Sequence, residues 1–148
     1  MAERATPSGR AVYKVFREIG LRWSDNDTYG HMNNVVHYSL FDTAVNAYLI
    51  EHDVLDIKGG AEVFLVVETG CRYHAEMSFP DRVTAGIRVA RLGSSSVRYE
   101  IGLFRNDEDV AAAEGFFIHV NVDRLSRRPI PFGAKARQLL EPLVIQPD

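Results

Sequence analysis

The chain has 148 residues, 46% of them hydrophobic and 25% charged, with a formal net charge of −3. That length suits one domain with one core, and the charge leaves no global basic field to draw the chain onto nucleic acid. No apolar run approaches the roughly 20 residues that span a bilayer, and the single cysteine, Cys71, excludes an internal disulfide and fits a reducing, cytoplasmic setting.

The start, MAERATPSGR, is polar, contains Pro and Gly, and has no apolar segment of the secretory kind. Residues 1–10 are expected to form a loose tail and residues 11–148 a single domain. Residues 12–22 mix apolar and charged positions and read as a first strand. From about Asn34 to His52 the period is helical, with Phe41, Ala44, Val45 and Tyr48 at i, i+3, i+4 and i+7. Ser39, Asp42, Thr43 and Asn46 make a narrow polar stripe, so this helix is expected to be buried on most sides.

After Lys58-Gly59-Gly60 the period changes to two. Val67, Thr69, Cys71, Tyr73, Ala75 and Met77 alternate with Glu68, Gly70, Arg72, His74 and Glu76, predicting a half-buried antiparallel strand. A Phe79-Pro80-Asp81 turn ends it. Further strands follow over Val83–Val89 and Val97–Leu103, joined at Gly93-Ser94-Ser95, and over Phe116–Val122 after a hairpin loop at 106–109. In the last of these, Phe116, Ile118, Val120 and Val122 alternate with Phe117, His119 and Asn121. A short helix is predicted around Ala134 to Leu140. One long helix and one antiparallel sheet make an α+β domain. Its open edges invite pairing with a second copy, so at least a symmetric dimer is expected.

The stretch DNDTYGHMNN, residues 25–34, stands directly before the apolar helix. Asp, Asn and Gly are turn and cap residues, so Asn33 or Asn34 can cap the helix and Gly30 can supply a positive φ. The same geometry also suits chemistry. A helix N-terminus exposes unpaired N–H groups and a partial positive charge. Asp27 precedes it closely enough for the loop to fold back. A carboxylate beside a fixed N–H donor can attack a carbonyl or activate a water while the N–H stabilises the oxyanion. Asp25, two residues away, can equally be the working acid. There is no Ser-His-Asp order and no G-x-S-x-G elbow. The spacing of Asp27, His31 and His37 suits no standard ligand pattern, so no metal is expected.

DNDTYGHMNNVVHYSLFD resembles the D-x-D-x-x-G-H-x-N-N-x-x-Y signature of hotdog-fold acyl-CoA thioesterases of the 4-hydroxybenzoyl-CoA thioesterase type. RYHAEMSFPDRVTAG, VARLGSSSVRYEIGLF and VNVDRLSRRPIP resemble the later strands and Pro-containing tail of that family. The resemblance implies a hotdog fold, an antiparallel five-stranded sheet wrapped around one long central helix. It implies that Asp27 is the catalytic carboxylate, as nucleophile or general base. It further implies that the backbone N–H of Asn34, at the first turn of the helix, polarises the thioester carbonyl, and that Gly30 lets the backbone approach closely. Tyr29, His31, Asn33 and His37 are expected to shape the substrate pocket. Asp42 either orients the site or is solvated.

The substrate so implied is an acyl-CoA or acyl-carrier-protein thioester, with no cofactor beyond the coenzyme A of the substrate, and the oligomer a homodimer or homotetramer. The phosphates of coenzyme A have candidate partners in Arg124, Arg127, Arg128, Lys135 and Arg137, or in Arg91 and Arg98. Two other classes stay in view: a hotdog hydratase or dehydratase using His31 with Asp25 or Asp27, and an acyl-thioester binding module without catalysis.

Overall fold

The computed structural model describes residues 5–145. β1 (Val15–Gly20) is followed by α1 (Val36–Glu51), β2 (Glu62–Tyr73), β3 (Arg82–Leu92), β4 (Ser96–Arg105), β5 (Ala113–Asp123) and α2 (Ala134–Leu140). All strand pairings are antiparallel, in the order β1-β3-β4-β5-β2. The first and last strands in that order are therefore the edges. No helix among the described residues is long and apolar enough to cross a membrane.

The inner face of the sheet is supplied by alternate positions of each strand. Val83, Ala85, Ile87 and Val89 of β3, and Val97, Tyr99, Ile101 and Leu103 of β4, are all buried. Against them lies α1, whose Leu40, Phe41, Ala44, Val45 and Leu49 share the same core cluster. Ser39, Asp42 and Thr43 are exposed, as the polar stripe predicts. The helix and sheet meet closely at Gly115. A Cβ placed there would lie 2.7 Å from the Gly70 carbonyl oxygen and closer still to the Phe41 ring. Only glycine lets the helix seat this deeply.

Three differences from the sequence expectations have clear physical causes. First, α1 begins at Val36, not Asn34, and spans about 24 Å at 1.5 Å per residue. The Val36 N–H donates to the Asn33 carbonyl and the Val35 N–H to Asn33 Oδ1, so Asn33 and Asn34 form a turn in front of the helix. Second, β2 runs from Glu62 to Tyr73, earlier than the alternation over 67–77 predicts. Its first half, Val63 to Val67, is a continuous apolar run without a period. Its register against β5 shifts between Val66 and Glu68, leaving Val67 as an extra residue in a β-bulge. Third, in β5 the polar alternates face the core: His119 and Asn121 are 1% and 0% exposed, whereas Phe116, Ile118 and Val120 are only half-buried. Asn121 Nδ2 donates to the Ile130 and Pro131 carbonyls and so fastens the chain that leads into α2.

Part of the segment expected to be loose is tied down. The Arg10 N–H donates to the Asp109 carbonyl, the Ala111 N–H to the Ser8 carbonyl, and the Ser8 N–H to Glu114 Oε1. Residues 1–4 of that segment lie outside the described residues.

Among the described residues His119 has no hydrogen-bond partner at either ring nitrogen, and it is enclosed by Phe64, Tyr99 and Phe117. Burial pushes its pKa down to about 4. The unfolded chain, with an ordinary histidine near pH 6.5, then binds a proton that the folded chain refuses. Stability is therefore full above that value and falls on acidification towards pH 4. His37, also lowered by burial, acts in the same direction. We expect thermal melts to show a loss of about 2 kcal/mol between about pH 7 and about pH 5, and His119→Leu to flatten that dependence.

Candidate active site

The loop between β1 and α1 is folded by its own polar side chains. Asp25 Oδ2 accepts the Arg22 N–H at 2.7 Å and Oδ1 the Arg22 guanidinium at 3.0 Å. Burial opposes the charge on Asp25, but these Arg22 donors outweigh it and hold the carboxyl below the usual carboxylate range. The Asn33 N–H donates to the Asp25 carbonyl, and the Asp27 N–H to the His31 carbonyl, so the chain doubles back on itself. Gly30 sits in the tight turn at φ +84, a conformation that side chains with a Cβ rarely adopt. A Cβ there would meet nothing within 4 Å, so backbone conformation, not close approach, accounts for this glycine in the protomer. The Phe79 N–H donates to Asn26 Oδ1 and the Met32 N–H to the Met77 carbonyl, which dock the loop on the turn before β3.

This folding separates the two acids. Both Asp25 oxygens are engaged and the residue is 4% exposed. The Asp27 side chain is 20% exposed, with Oδ1 accepting the Tyr29 N–H at 2.8 Å and Oδ2 lying 3.6 Å from His31 Nδ1. His31 Nε2 is 3.9 Å from Glu76. Tyr29 itself is exposed and stacks on His31.

A cavity of about 270 Å³ opens at the start of α1, with His31, Asn34, His37, Tyr73, His74 and Glu76 as its polar walls. Asp27 stands beside this cavity, one side chain removed behind His31. Asn33 does not line it, because its Oδ1 holds the Val35 N–H. Among the described residues the Asn34 N–H donates to nothing. Tyr73, His74 and Glu76 are absent from the sequence-derived set. The alternation assigns His74 and Glu76 to an outer strand face, but β2 stops at Tyr73, and the His74 and Ala75 N–H groups both donate to the Ala112 carbonyl. The closing Tyr of the signature falls at position 37, which is His in this chain.

A larger cavity, about 420 Å³, lies on the opposite face of the sheet. Most of its charges are already engaged: Arg88 and Arg98 both approach Glu100, and Glu114 accepts from Tyr13 and Ser8. It contains no helix N-terminus. Of the basic candidates, Arg124 donates to the Gly60 and Ile57 carbonyls and Arg137 to the Gly93 carbonyl, while Arg98 stacks on Phe116. Arg91, Arg127, Arg128 and Lys135 are exposed. Asp42 is exposed and bonds Asn46 on its own helix. Cys71 is half-buried, and burial raises its thiol pKa to about 11, which suits packing and not attack. Among the described residues no group of three or more His, Cys, Asp or Glu is arranged to hold a metal ion.

An antiparallel five-stranded sheet, with its long helix starting at a polar loop beside a cavity, defines the class of domain. Residues 21–140 match the family model of the Thioesterase-like superfamily, and the chain belongs to that superfamily. It is 48% identical to the PA5185 protein of Pseudomonas aeruginosa strain PAO1, over 96% of this chain and 99% of that one, with a TM-score of 0.93. A thioesterase from Thermus thermophilus, complexed with coenzyme A and Zn, is 29% identical over 91% of this chain and 98% of that one, with a TM-score of 0.73. Slr0204, a 1,4-dihydroxy-2-naphthoyl-CoA thioesterase from Synechocystis, is 13% identical over 84% of this chain and 93% of that one, with a TM-score of 0.77, and shares the fold.

Proposed function

We propose that the chain is a hotdog-fold acyl-CoA thioesterase of the 4-hydroxybenzoyl-CoA thioesterase type, hydrolysing a fatty or aromatic acyl-CoA to the free acid and coenzyme A. The observation that carries this reading is the unpartnered Asn34 N–H at the mouth of α1, on a cavity beside the folded-back Asp27 carboxylate. The coenzyme A bound by the Thermus relative supports the substrate class.

In this reading the thioester carbonyl oxygen accepts the Asn34 N–H, which stabilises the negative charge that develops on it. Asp27 does not line the cavity but stands behind His31, set back from a carbonyl held at the Asn34 N–H. General-base catalysis therefore fits better than direct attack: Asp27 takes a proton from the water as its oxygen adds to the carbonyl carbon. The tetrahedral intermediate then expels the coenzyme A thiolate, a good leaving group needing little acid help, and the proton held on Asp27 passes to it through solvent to give the free thiol and restore the carboxylate. His31, between Asp27 and Glu76, shapes the approach, with Tyr29 over it. The reaction consumes only water.

The test is incubation with a panel of acyl-CoAs while free thiol is followed, with acyl-carrier-protein thioesters as a second arm. Release of thiol is the expected result; tight binding without release identifies a binding module instead. The His31–Asp27 pair at 3.6 Å gives a hydratase its one specific support, and a hydratase would change the acyl chain with no thiol set free.

The same reading includes a homodimer or homotetramer. On the β2 edge Leu65, Val66 and Val67 are 39%, 46% and 60% exposed, an apolar strand with one side unpaired. Size-exclusion with light scattering is expected to give at least a dimer, and Val67→Lys to shift it towards the protomer.

A further inference from the structure

The peptide groups on either side of the Asn34 Cα carry an uneven set of bonds. In the peptide joining Asn33 to Asn34, the carbonyl accepts the Val36 N–H at 3.0 Å. In the next peptide, the N–H of Val35 donates to Asn33 Oδ1 at 3.2 Å. The carbonyl of that peptide, Asn34 C=O, accepts twice: from the Tyr73 hydroxyl at 2.7 Å and from His37 Nδ1 at 3.1 Å. Three of the four polar groups are thus fixed, and the one left bare is the Asn34 N–H.

Each donor reaches the carbonyl with a defined geometry. A carbonyl oxygen only accepts, so the bond from His37 requires the hydrogen on Nδ1. The His37 ring is buried and meets the Tyr73 ring edge to face at 4.6 Å. Tyr73 is the last residue of β2, 39 positions from Asn34, so its bond ties the end of a strand to the start of the helix. Without the two donors, the turn would rest on contacts within residues 33–36 and on the Asn33 N–H bond to the Asp25 carbonyl, none of which touches the Asn34 carbonyl.

We propose that Tyr73 and His37 clamp the Asn34 carbonyl and thereby aim the Asn34 N–H, which makes Tyr73 a positioning residue for thioester hydrolysis. This rests on the function proposed above. Neither side chain need touch the reacting carbonyl. Their effect is on where the donor stands, and a displacement of about 1 Å at such a group can cost about a hundredfold in rate.

Tyr73→Phe removes one hydroxyl and keeps the ring against His37. On the best acyl-CoA of the panel it is expected to lower kcat about tenfold to a hundredfold with KM within about twofold of wild type. His37→Leu should do the same. His37→Asn, which can present an N–H where Nδ1 stood, should restore part of that loss. The Asn34 amide should move in ¹H–¹⁵N spectra of Tyr73→Phe while the Leu49 amide does not. A kcat within about twofold of wild type in Tyr73→Phe, or a loss carried wholly by KM, overturns the clamp. Should the wild type hydrolyse nothing, the thioesterase reading fails separately. The clamp is then judged on the Asn34 amide alone, and an unmoved resonance in Tyr73→Phe overturns it.

Discussion

Asp27→Asn is expected to lower kcat for acyl-CoA hydrolysis by about a thousandfold, some 4 kcal/mol of barrier, and to leave substrate binding near its wild-type level. The amide is nearly isosteric with the carboxylate but can neither take a proton from water nor add to a carbonyl. Its oxygen can still accept the Tyr29 N–H that now bonds Asp27 Oδ1, so the turn should survive and the melting temperature should barely move. Steady-state kinetics and a thermal melt on the same preparation separate the two effects. Asp25→Asn makes the contrast. Both Asp25 oxygens bond Arg22, so its loss should appear in stability first. Full activity in Asp27→Asn would remove the general base from the mechanism. Single turnover in ¹⁸O-water distinguishes the two roles of Asp27: label passing directly into the product acid fits a base, and label entering the Asp27 carboxylate fits a nucleophile.

Gly115→Ala should be the most damaging small substitution in the core, at about 3 kcal/mol, or a melting temperature lowered by roughly 6–12 °C. The added methyl would collide with the Phe41 ring and with the Gly70 carbonyl oxygen. The ring is 0% exposed and packed on Phe117, and the carbonyl belongs to the neighbouring strand, so neither can retreat cheaply. Relief requires lifting α1 from the sheet, which carries the helix mouth with it. Gly133→Ala is the control: an added Cβ there meets nothing within 4 Å, and φ is an ordinary −67°. A melt in which the two variants match would show that the core is looser than this packing implies.

Legibility in the sequence followed how local the determining contacts are. The helix Ala134–Leu140 and the turns at 93–95 and 106–109 depend on neighbours in the chain, and their positions were readable. So was the deep burial of α1, because an almost wholly apolar circumference admits no other placement. The bounds of β2 were not readable, since Val63 to Val67 lacks alternation and the bulge resets the phase partway along. Phe64 pairs with Asn121 and Tyr73 with Ala113, both inner-face positions of β5. Residues nine apart share a face only because Val67 is extra. Within the candidate site, Asp27, Gly30 and Asn34 were visible because they share one loop. The Arg22 donors that occupy Asp25 could not be read from a spacing of two. Tyr73, His74 and Glu76 reach the cavity from another strand end, which no local pattern reports.

The bulge at Val67 also bears on how the chain avoids misassembly. Leu65, Val66 and Val67 offer the kind of bare, greasy margin on which stray β-segments accumulate during synthesis at high concentration. An extra residue at that point bends the margin and interrupts its row of backbone donors and acceptors. A generic extended peptide cannot zip past such a kink, whereas a surface shaped to it can. The irregularity is therefore expected to disfavour promiscuous strand addition along β2.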